Sequence, residues 1–391
     1  MKLEIEYDKL LNGLTYVGNV ANSQSSLESN KVVIFVVTED NLSIFGESAT
    51  IGAITEFEKS DFNYASNNTG DMFKVKTKEL LNFLGTFTID RTMPTKVTFD
   101  LVEGTNGSGT LTLTVHEEPL EGQPSYLEND SHWVFDTTPI TKATLENMNV
   151  LNGEEVVPSV LLKIYIDALL PLLNNADANM NDSKINFEEK YAYVFSSKTF
   201  ALFQNKLPQC LKGIVLGYEG VQILKQLASE YDQLLVSKVR EKGKIFITAG
   251  TNRISIKFNE KMIDYKKMLE TLTDDNYFTI DRKMFTSVIN RLSLTKDNTT
   301  MAIDLENEVL SMKSKKFSQN IPISNYSGTE LKDFKIDVVT GVLKDSVLGD
   351  DAQYSDDMII RVTRMNNAWT VTFTDQSNMW LCVFRVLAKS K

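Results

Sequence analysis

Few side chains in this sequence have the type and spacing that catalysis requires. The only histidines are His116 and His132. A Ser-His-Asp or Cys-His arrangement would have to use one of them, and no nucleophile motif accompanies either. Asp177, Asn179, Asn181 and Glu188 have the spacing of a calcium-binding loop, yet Asp182 stands where the sharp turn of such a loop needs glycine. An insertion rich in Asn and Asp is the better reading. The run GTNGSG, Gly104 to Gly109, lacks the Lys-Ser/Thr and the following helix of a phosphate cradle. It lies between two alternating strands, which makes it a hairpin turn. Cys210 and Cys382 make no metal spacing and suit a reducing cytoplasm. These residues point away from an enzyme and from any metal or cofactor. What remains is recognition chemistry, which depends on the elements that carry the cations and the apolar side chains.

An internal repeat supplies those elements. The stretch Phe258 to Leu292, FNEKMIDYKKMLETLTDDNYFTIDRKMFTSVINRL, falls without a gap on Phe135 to Leu169, FDTTPITKATLENMNVLNGEEVVPSVLLKIYIDAL. Phe258 lies on Phe135, Leu272 on Asn149, Thr279-Ile280 on Val156-Val157, and Met284-Phe285 on Leu161-Leu162. Both copies read as a strand end, a polar connector, a short strand and an amphipathic helix. The N-terminal LEIEYDKLLNGL fits the later half, with Leu3-Glu4-Ile5 on Phe278-Thr279-Ile280 and Leu10 on Phe285. The 391 residues therefore divide into three modules, expected at 1–150, 151–273 and 274–391 with each connector counted in the module before it. Each is an ordinary domain size of roughly 100–150 residues.

Composition agrees with a packed globular chain, at 42% hydrophobic and 24% charged residues. The N-terminal MKLEIEYDKLL alternates charged and apolar residues as no secretory signal does, and no apolar run reaches the ~18 residues of a membrane span. A net charge of −11 excludes a protein that holds nucleic acid by a broad basic surface.

The same order of elements is expected in each module. In the first, the strand Lys2 to Glu6 precedes a helix on which Tyr7, Leu10, Leu11, Leu14 and Val17 recur at helical spacing. KVVIFVV, NLSIFG and SATIGAITEF make a meander, and a strand Met72 to Val75 leads to a second helix with Thr77 as N-cap and Leu80, Leu81 and Leu84 as its stripe. KVTFDLV, TLTLTVHE and HWVFDTT close the module. The second repeats this with helices at Ser159 to Leu173 and Tyr218 to Tyr231, and the third with helices at Arg282 to Leu294 and Val338 to Leu348, after a strand at Phe334 to Ile336. The fold class is therefore α+β, with two helices per module packed on antiparallel sheets.

The segment Lys257 to Leu269, KFNEKMIDYKKML, resembles the strand and connector that follow the second domain of bacterial β sliding clamps. There a Pro-Asp-Tyr-Arg-Arg-like run follows the strand; here Asp264-Tyr265-Lys266-Lys267 stand at those places and Ile263 replaces the proline. The triplication, the element order and the length match as well, so the resemblance covers essentially the whole chain. Insertions at Asn174 to Asp182 and Pro119 to Asp130 mark a diverged member, such as a bacteriophage clamp. The resemblance implies a homodimer in which two three-module chains close a six-module ring around duplex DNA, held by topology and not by sequence. It also implies work in the cytoplasm of a bacterial cell and partnership with a DNA polymerase, whose processivity it confers, and a clamp loader. Both would dock through short hydrophobic peptides.

Two sets of residues follow from the resemblance. The lining helices would present Lys9, Lys76, Lys78, Lys163, Lys225, Arg282, Lys283, Arg291 and Lys344 to DNA, interspersed with Asp8, Glu79, Glu219, Asp281 and Asp345. The partner-peptide pocket between the second and third modules would use Ile263 and Met268 of the connector, Phe200 and Leu202, and Cys382, Phe384 and Val386, which alternation puts on one face of the last strand; the alternative, above all for Phe384 and Met268, is that they are core. The family has an Asp-Gly-His-Arg-Leu-like turn where this chain has Ser197-Lys198-Thr199-Phe200, so the pocket is expected to differ in shape. The competing reading is a β-rich repeat protein of a virion. It accounts for the repeat and the acidic charge but not for two amphipathic helices at the same places in every module.

Overall fold

A computed structural model describes residues 1–22, 31–87, 93–103, 109–118, 131–137, 150–173, 184–195, 199–204, 207–262, 264–270, 272, 275–295, 297–346, 355–365, 368–375 and 380–387. One order of elements is traversed three times. The first pass is β1 (Lys2–Glu6), α1 (Tyr7–Ala21), β2 (Val32–Thr38), β3 (Asn41–Glu47), β4 (Ile51–Glu58), β5 (Phe62–Ala65), β6 (Gly70–Lys76), α2 (Thr77–Leu84), β7 (Thr95–Glu103), β8 (Gly109–Glu117) and β9 (Ser131–Thr137). The second is β10 (Glu155–Pro158), α3 (Ser159–Leu169), β11 (Lys184–Phe187), β12 (Tyr191–Phe195), β13 (Thr199–Gln204), β14 (Ile214–Gly217), α4 (Tyr218–Glu230), β15 (Gln233–Val239), β16 (Lys244–Ala249) and β17 (Asn252–Lys257). After a connector bearing the short α5 (Lys266–Leu269), the third is β18 (Tyr277–Asp281), α6 (Arg282–Ser293), β19 (Asn298–Asp304), β20 (Val309–Lys313), β21 (Ser318–Ser327), β22 (Lys335–Val339), α7 (Thr340–Ser346), β23 (Asp357–Met365), β24 (Ala368–Asp375) and β25 (Trp380–Leu387).

By its contacts the chain forms two compact units, Met1–Pro158 with Glu230–Lys257, and Ser159–Ser229 with Phe258–Lys391. Strand pairing explains why there are two and not three. The middle pass gives β10 and β15 to β17 to the first unit, where β17 pairs antiparallel with β4. It gives β11 to β14 to the second, where β13 pairs antiparallel with β25.

The first unit has a five-stranded sheet in the order β5-β1-β7-β8-β9 and an eight-stranded sheet β10-β15-β16-β17-β4-β3-β2-β6. The β-branched and aromatic run VVIFVVT forms β2 because such side chains pack well on a pleated surface. Its inward Phe35 stacks on Phe73 at 4.8 Å and meets Phe99 at 5.2 Å, joining β2, β6 and β7 in one core. Helix α1 buries Tyr7, Leu10, Leu14 and Val17 and packs on β3 and β4, as the apolar spacing anticipated. The hairpin expected around the glycine run is flanked by β7 and β8 in register, Glu103 opposite Gly109; residues 104–108 lie outside the described set.

The second unit has one twelve-stranded sheet, β14-β11-β12-β13-β25-β24-β23-β18-β21-β20-β19-β22. Its helices cover aromatic contacts: Tyr165 of α3 meets Phe203 of β13 at 5.2 Å, and Phe285 of α6 meets Phe373 of β24 at 5.6 Å. In the third pass the strand before the second helix runs to Val339, beyond the expected Ile336. Val338 and Val339 extend the ladder against Thr299 and Asn298, so the helix starts at Thr340. The β-branched pair prefers the strand.

The start of β18 depends on one glycine. Gly328 has φ +117°, and a Cβ there would lie 2.6 Å from the Asn276 Cα. Asn276 Oδ1 in turn accepts from the Glu330 backbone N–H at 3.1 Å, and its carbonyl accepts from Val362 N–H at 3.0 Å. Gly328→Ala is expected to destabilise the unit by about 2–4 kcal/mol through backbone strain and this clash. Urea unfolding would measure it, and a change of less than about half a kcal/mol would show that the turn relaxes.

Candidate functional site

Helix-borne cations come first. In the first unit, Lys9 of α1 lies 2.9 Å from Asp61 and 3.6 Å from Glu6. The Asp61 hydrogen bond, outweighing burial, holds its ammonium above the ordinary lysine range. Lys76 pairs with Glu79 at 2.9 Å, and Lys78 is exposed on α2. In the second unit, Lys225 of α4 is 3.4 Å from Asp167 of α3, while Lys163 is exposed on α3. Lys283 pairs with Asp356 at 2.8 Å. Arg291 donates to Gln319 Oε1 and Ser287 Oγ at 3.0 and 3.2 Å from an exposed position, and Lys344 is exposed on α7.

Arg282 does not belong with these cations. It is 1% exposed, its Nε donates to the Ser355 carbonyl at 2.8 Å, and its backbone N–H donates to the Asp356 carbonyl at 2.7 Å. It is the first residue of α6, directly after the N-cap Asp281, whose side chain accepts from Met284 N–H. At that position the side chain turns back along the incoming chain to fasten the segment before β23. Helical spacing alone cannot distinguish this from an outward direction.

The second candidate lies on the face of the twelve-stranded sheet that the connector crosses. Tyr193 of β12, Phe200 and Leu202 of β13, Val383 of β25 and Tyr265 form one buried cluster. Around it Tyr191, Phe195, Leu269, Leu272 and Leu381 are half-buried. The register explains the grouping, since Phe200 is opposite Val383 and Leu202 opposite Leu381. Two sequence-derived residues, Phe200 and Leu202, are therefore in the cluster. Tyr265 stacks on Phe200 at 5.5 Å and lies 4.6 Å from Tyr193, and its hydroxyl donates to Glu188 Oε2 at 3.3 Å. Burial, and then the Glu188 carboxylate, push the Tyr265 phenol up to about 12. The same two causes in the same order raise Tyr193.

Cys382 and Phe384 fall on the opposite face, which corrects the expected pocket. Cys382 is fully buried and Phe384 is 1% exposed, with the Phe384 ring 5.2 Å from Phe373. Burial pushes the Cys382 thiol up to about 12, so it is no ready nucleophile. Val386 shares their parity and is half-buried opposite Trp369. Because side chains alternate along a strand, a phase error of one residue exchanges the two faces. Leu381 and Val383 of the last strand pack in the cluster with the connector. Ile263 lies outside the described residues, and Met268 is placed only by its backbone in α5. Spacing missed Tyr193 and Tyr265, although Tyr265 belongs to the Asp-Tyr-Lys-Lys run that carried the resemblance.

The remaining candidates are isolated. His116 Nε2 of β8 is 4.0 Å from Glu4 of β1, across the intervening β7, and His132 is exposed on β9. Among the described residues no group of three His, Cys, Asp or Glu side chains could hold a metal. Nor is any described helix long and apolar enough to cross a membrane. Asp177, Asn179 and Asn181 lie outside the described residues, and Glu188 is engaged by Tyr265.

No protein-family model matches this chain, and no curated sequence does. Solved structures match over its whole length. A protein of Eubacterium rectale assigned as a DNA polymerase III β subunit is similar at a TM-score of 0.73 and 12% identity, covering 99% of both chains. The pol III β protein of Caulobacter crescentus gives 0.71 at 14% identity, and the DNA polymerase III β subunit of Pseudomonas aeruginosa 0.69 at 14%, each over 100% of both chains. The chain thus has the fold of these DNA polymerase III β proteins, at 12–14% sequence identity.

Proposed function

We propose that this protein is a sliding clamp, a non-enzymatic ring of two copies that encircles duplex DNA and tethers a replicative polymerase. A bacteriophage member working in a bacterial cytoplasm fits the divergence. The observation that carries the reading is a strand pairing made twice within the chain. The last strand of the second pass, β17, pairs with the meander strand β4 of the first, and the last strand of the third, β25, pairs with β13 of the second. The pattern leaves one such pair unmade. The last strand of the first pass, β9, pairs among the described residues with β8 alone, and residues Ser318–Pro322 of β21, the meander strand of the third pass, pair with β20 alone. A second copy supplies the missing partner at both ends, so two chains joined head to tail close with no free edge.

The three passes are read as modules 1–150, 151–273 and 274–391, each contributing two helices to the wall around DNA. Lys78, Lys163, Lys344 and Arg291 would offer positive charge there, while Lys9, Lys76, Lys225 and Lys283 already meet carboxylates. So thin a set suits an encircling ring, since many phosphate contacts would hold it in place. The cluster of Phe200, Leu202, Val383 and Tyr265 is read as the floor of the cleft that takes the apolar anchor of a polymerase or loader peptide.

Retention on DNA tests the reading. A nicked circular plasmid should keep the protein through gel filtration, and the same plasmid cut once should lose it from its ends. Equal binding to both forms would replace the clamp with a surface binder. Polymerisation without DNA would favour the virion structural protein.

A further inference from the structure

Beside the apolar cluster is a cavity of about 380 Å³ lined by Glu188, Glu189, Lys190, Tyr191, Gly213 and Met262. Two residues make it continuous with the cluster. Tyr191 packs against the cluster and also lines the cavity, and Glu188 lines the cavity while accepting the Tyr265 hydroxyl from the cluster. The turn that carries the acids is fixed, because Glu188 N–H donates to the Tyr191 carbonyl at 2.8 Å between the paired strands β11 and β12. The opposite wall is fixed as well: Gly213 N–H donates to the Phe187 carbonyl at 2.7 Å, and Val215 and Asn259 exchange backbone hydrogen bonds at 2.7 and 3.0 Å, anchoring the connector that brings Met262. The cavity therefore belongs to the scaffold and not to a loose loop.

Its lining is acidic on balance, with two carboxylates and one ammonium. The charges felt by the neighbouring Tyr193 and Tyr265 hydroxyls include those of Glu188 and Asp264, both acting to raise them. An ionised carboxylate has about four acceptor directions, and the Tyr265 hydroxyl occupies one on Glu188.

We propose that the partner cleft extends into this cavity, and that Glu188 and Glu189 select peptides carrying a lysine or arginine next to their apolar anchor. This rests on the reading of the cluster as a peptide cleft and adds the chemistry of the residue beside the anchor. Leucine or phenylalanine side chains would lie against Phe200, Leu202 and Val383. The cation would enter past Tyr191, where its methylenes cover the ring and its head reaches the carboxylates. An acidic flank would meet like charge, so the site would discriminate by repulsion as well as by attraction.

The test uses the full-length protein and three fluorescent peptides with the core Leu-Ala-Leu-Phe, flanked on both sides by arginine, glutamine or glutamate. Fluorescence polarisation should rank them arginine, glutamine, glutamate, with the arginine peptide about three- to tenfold tighter than the glutamine peptide at low salt. High salt should reduce the advantage. In the double variant Glu188→Gln, Glu189→Gln the arginine preference should vanish while the glutamine peptide binds as before, which also shows that the cleft is still folded. Equal affinities for all three peptides, or an arginine preference that survives the double variant and so reflects only the net charge of −11, would overturn the selection. Binding of none of the peptides would overturn the cleft reading itself, and the selection with it.

Discussion

Phe384→Ala is expected to lower the stability of the second unit by about 3–5 kcal/mol, the usual cost of emptying a fully buried aromatic site. Phe384 is 1% exposed, and its ring packs at a tilt against Phe373, which also meets Phe285 of α6 edge to face. Any loss of polymerase stimulation in this variant would therefore follow from unfolding and say nothing of peptide capture. The informative change is on the other face. Leu381 and Leu269 are half-buried at the margin of the connector cluster. Leu381→Ser with Leu269→Ser should cost only about 1–2 kcal/mol of stability, since little apolar area is exposed anew. The same pair should weaken binding of an apolar peptide at least about tenfold. Chemical denaturation and peptide titration of both variants would separate the effects. A Phe384→Ala protein with unchanged denaturation midpoint and lost peptide binding would restore Phe384 to the cleft.

In the proposed two-copy ring, Trp133→Glu should leave monomers and abolish end-sensitive retention on DNA. Trp133 and Val134 are 49% and 53% exposed on β9, which among the described residues is the edge of its sheet and carries neither lysine nor proline. Trp133 is already held in place, 5.5 Å from Phe83 and 6.1 Å from Phe135, so a partner strand would meet a rigid aromatic platform. Loss of a tryptophan anchor at an interface typically costs about 2–4 kcal/mol, and a buried carboxylate adds desolvation. Analytical ultracentrifugation would read the change. A dimer of undiminished strength in Trp133→Glu would move the contact away from β9. Peptide binding should survive the substitution, because the connector cluster lies wholly within the other compact unit.

The repeat, the element order, the helix stripes and the alternating strands could be read from the chain alone, because each arises from interactions among near neighbours in sequence. Leu10, Leu14 and Val17 are buried on α1 as their spacing requires, whereas Thr77, expected as a cap, is already the first residue of α2, after Lys76. Tertiary structure alone decided questions of phase and partner. Parity gave Cys382, Phe384 and Val386 a common face, but only the pairing of β25 with β13 and β24 shows that Phe384 packs on Phe373 and that Leu381 and Val383 meet the connector. Spacing put Arg282 on a helix, while the carbonyls of Ser355 and Asp356, more than seventy residues away in sequence, turned it inward. The joining of Tyr193, Phe200, Val383 and Tyr265 in one cluster depends on strand pairs and a connector far apart in the chain. Local periodicity carries no information about such contacts, because their free energy appears only when the distant segments meet.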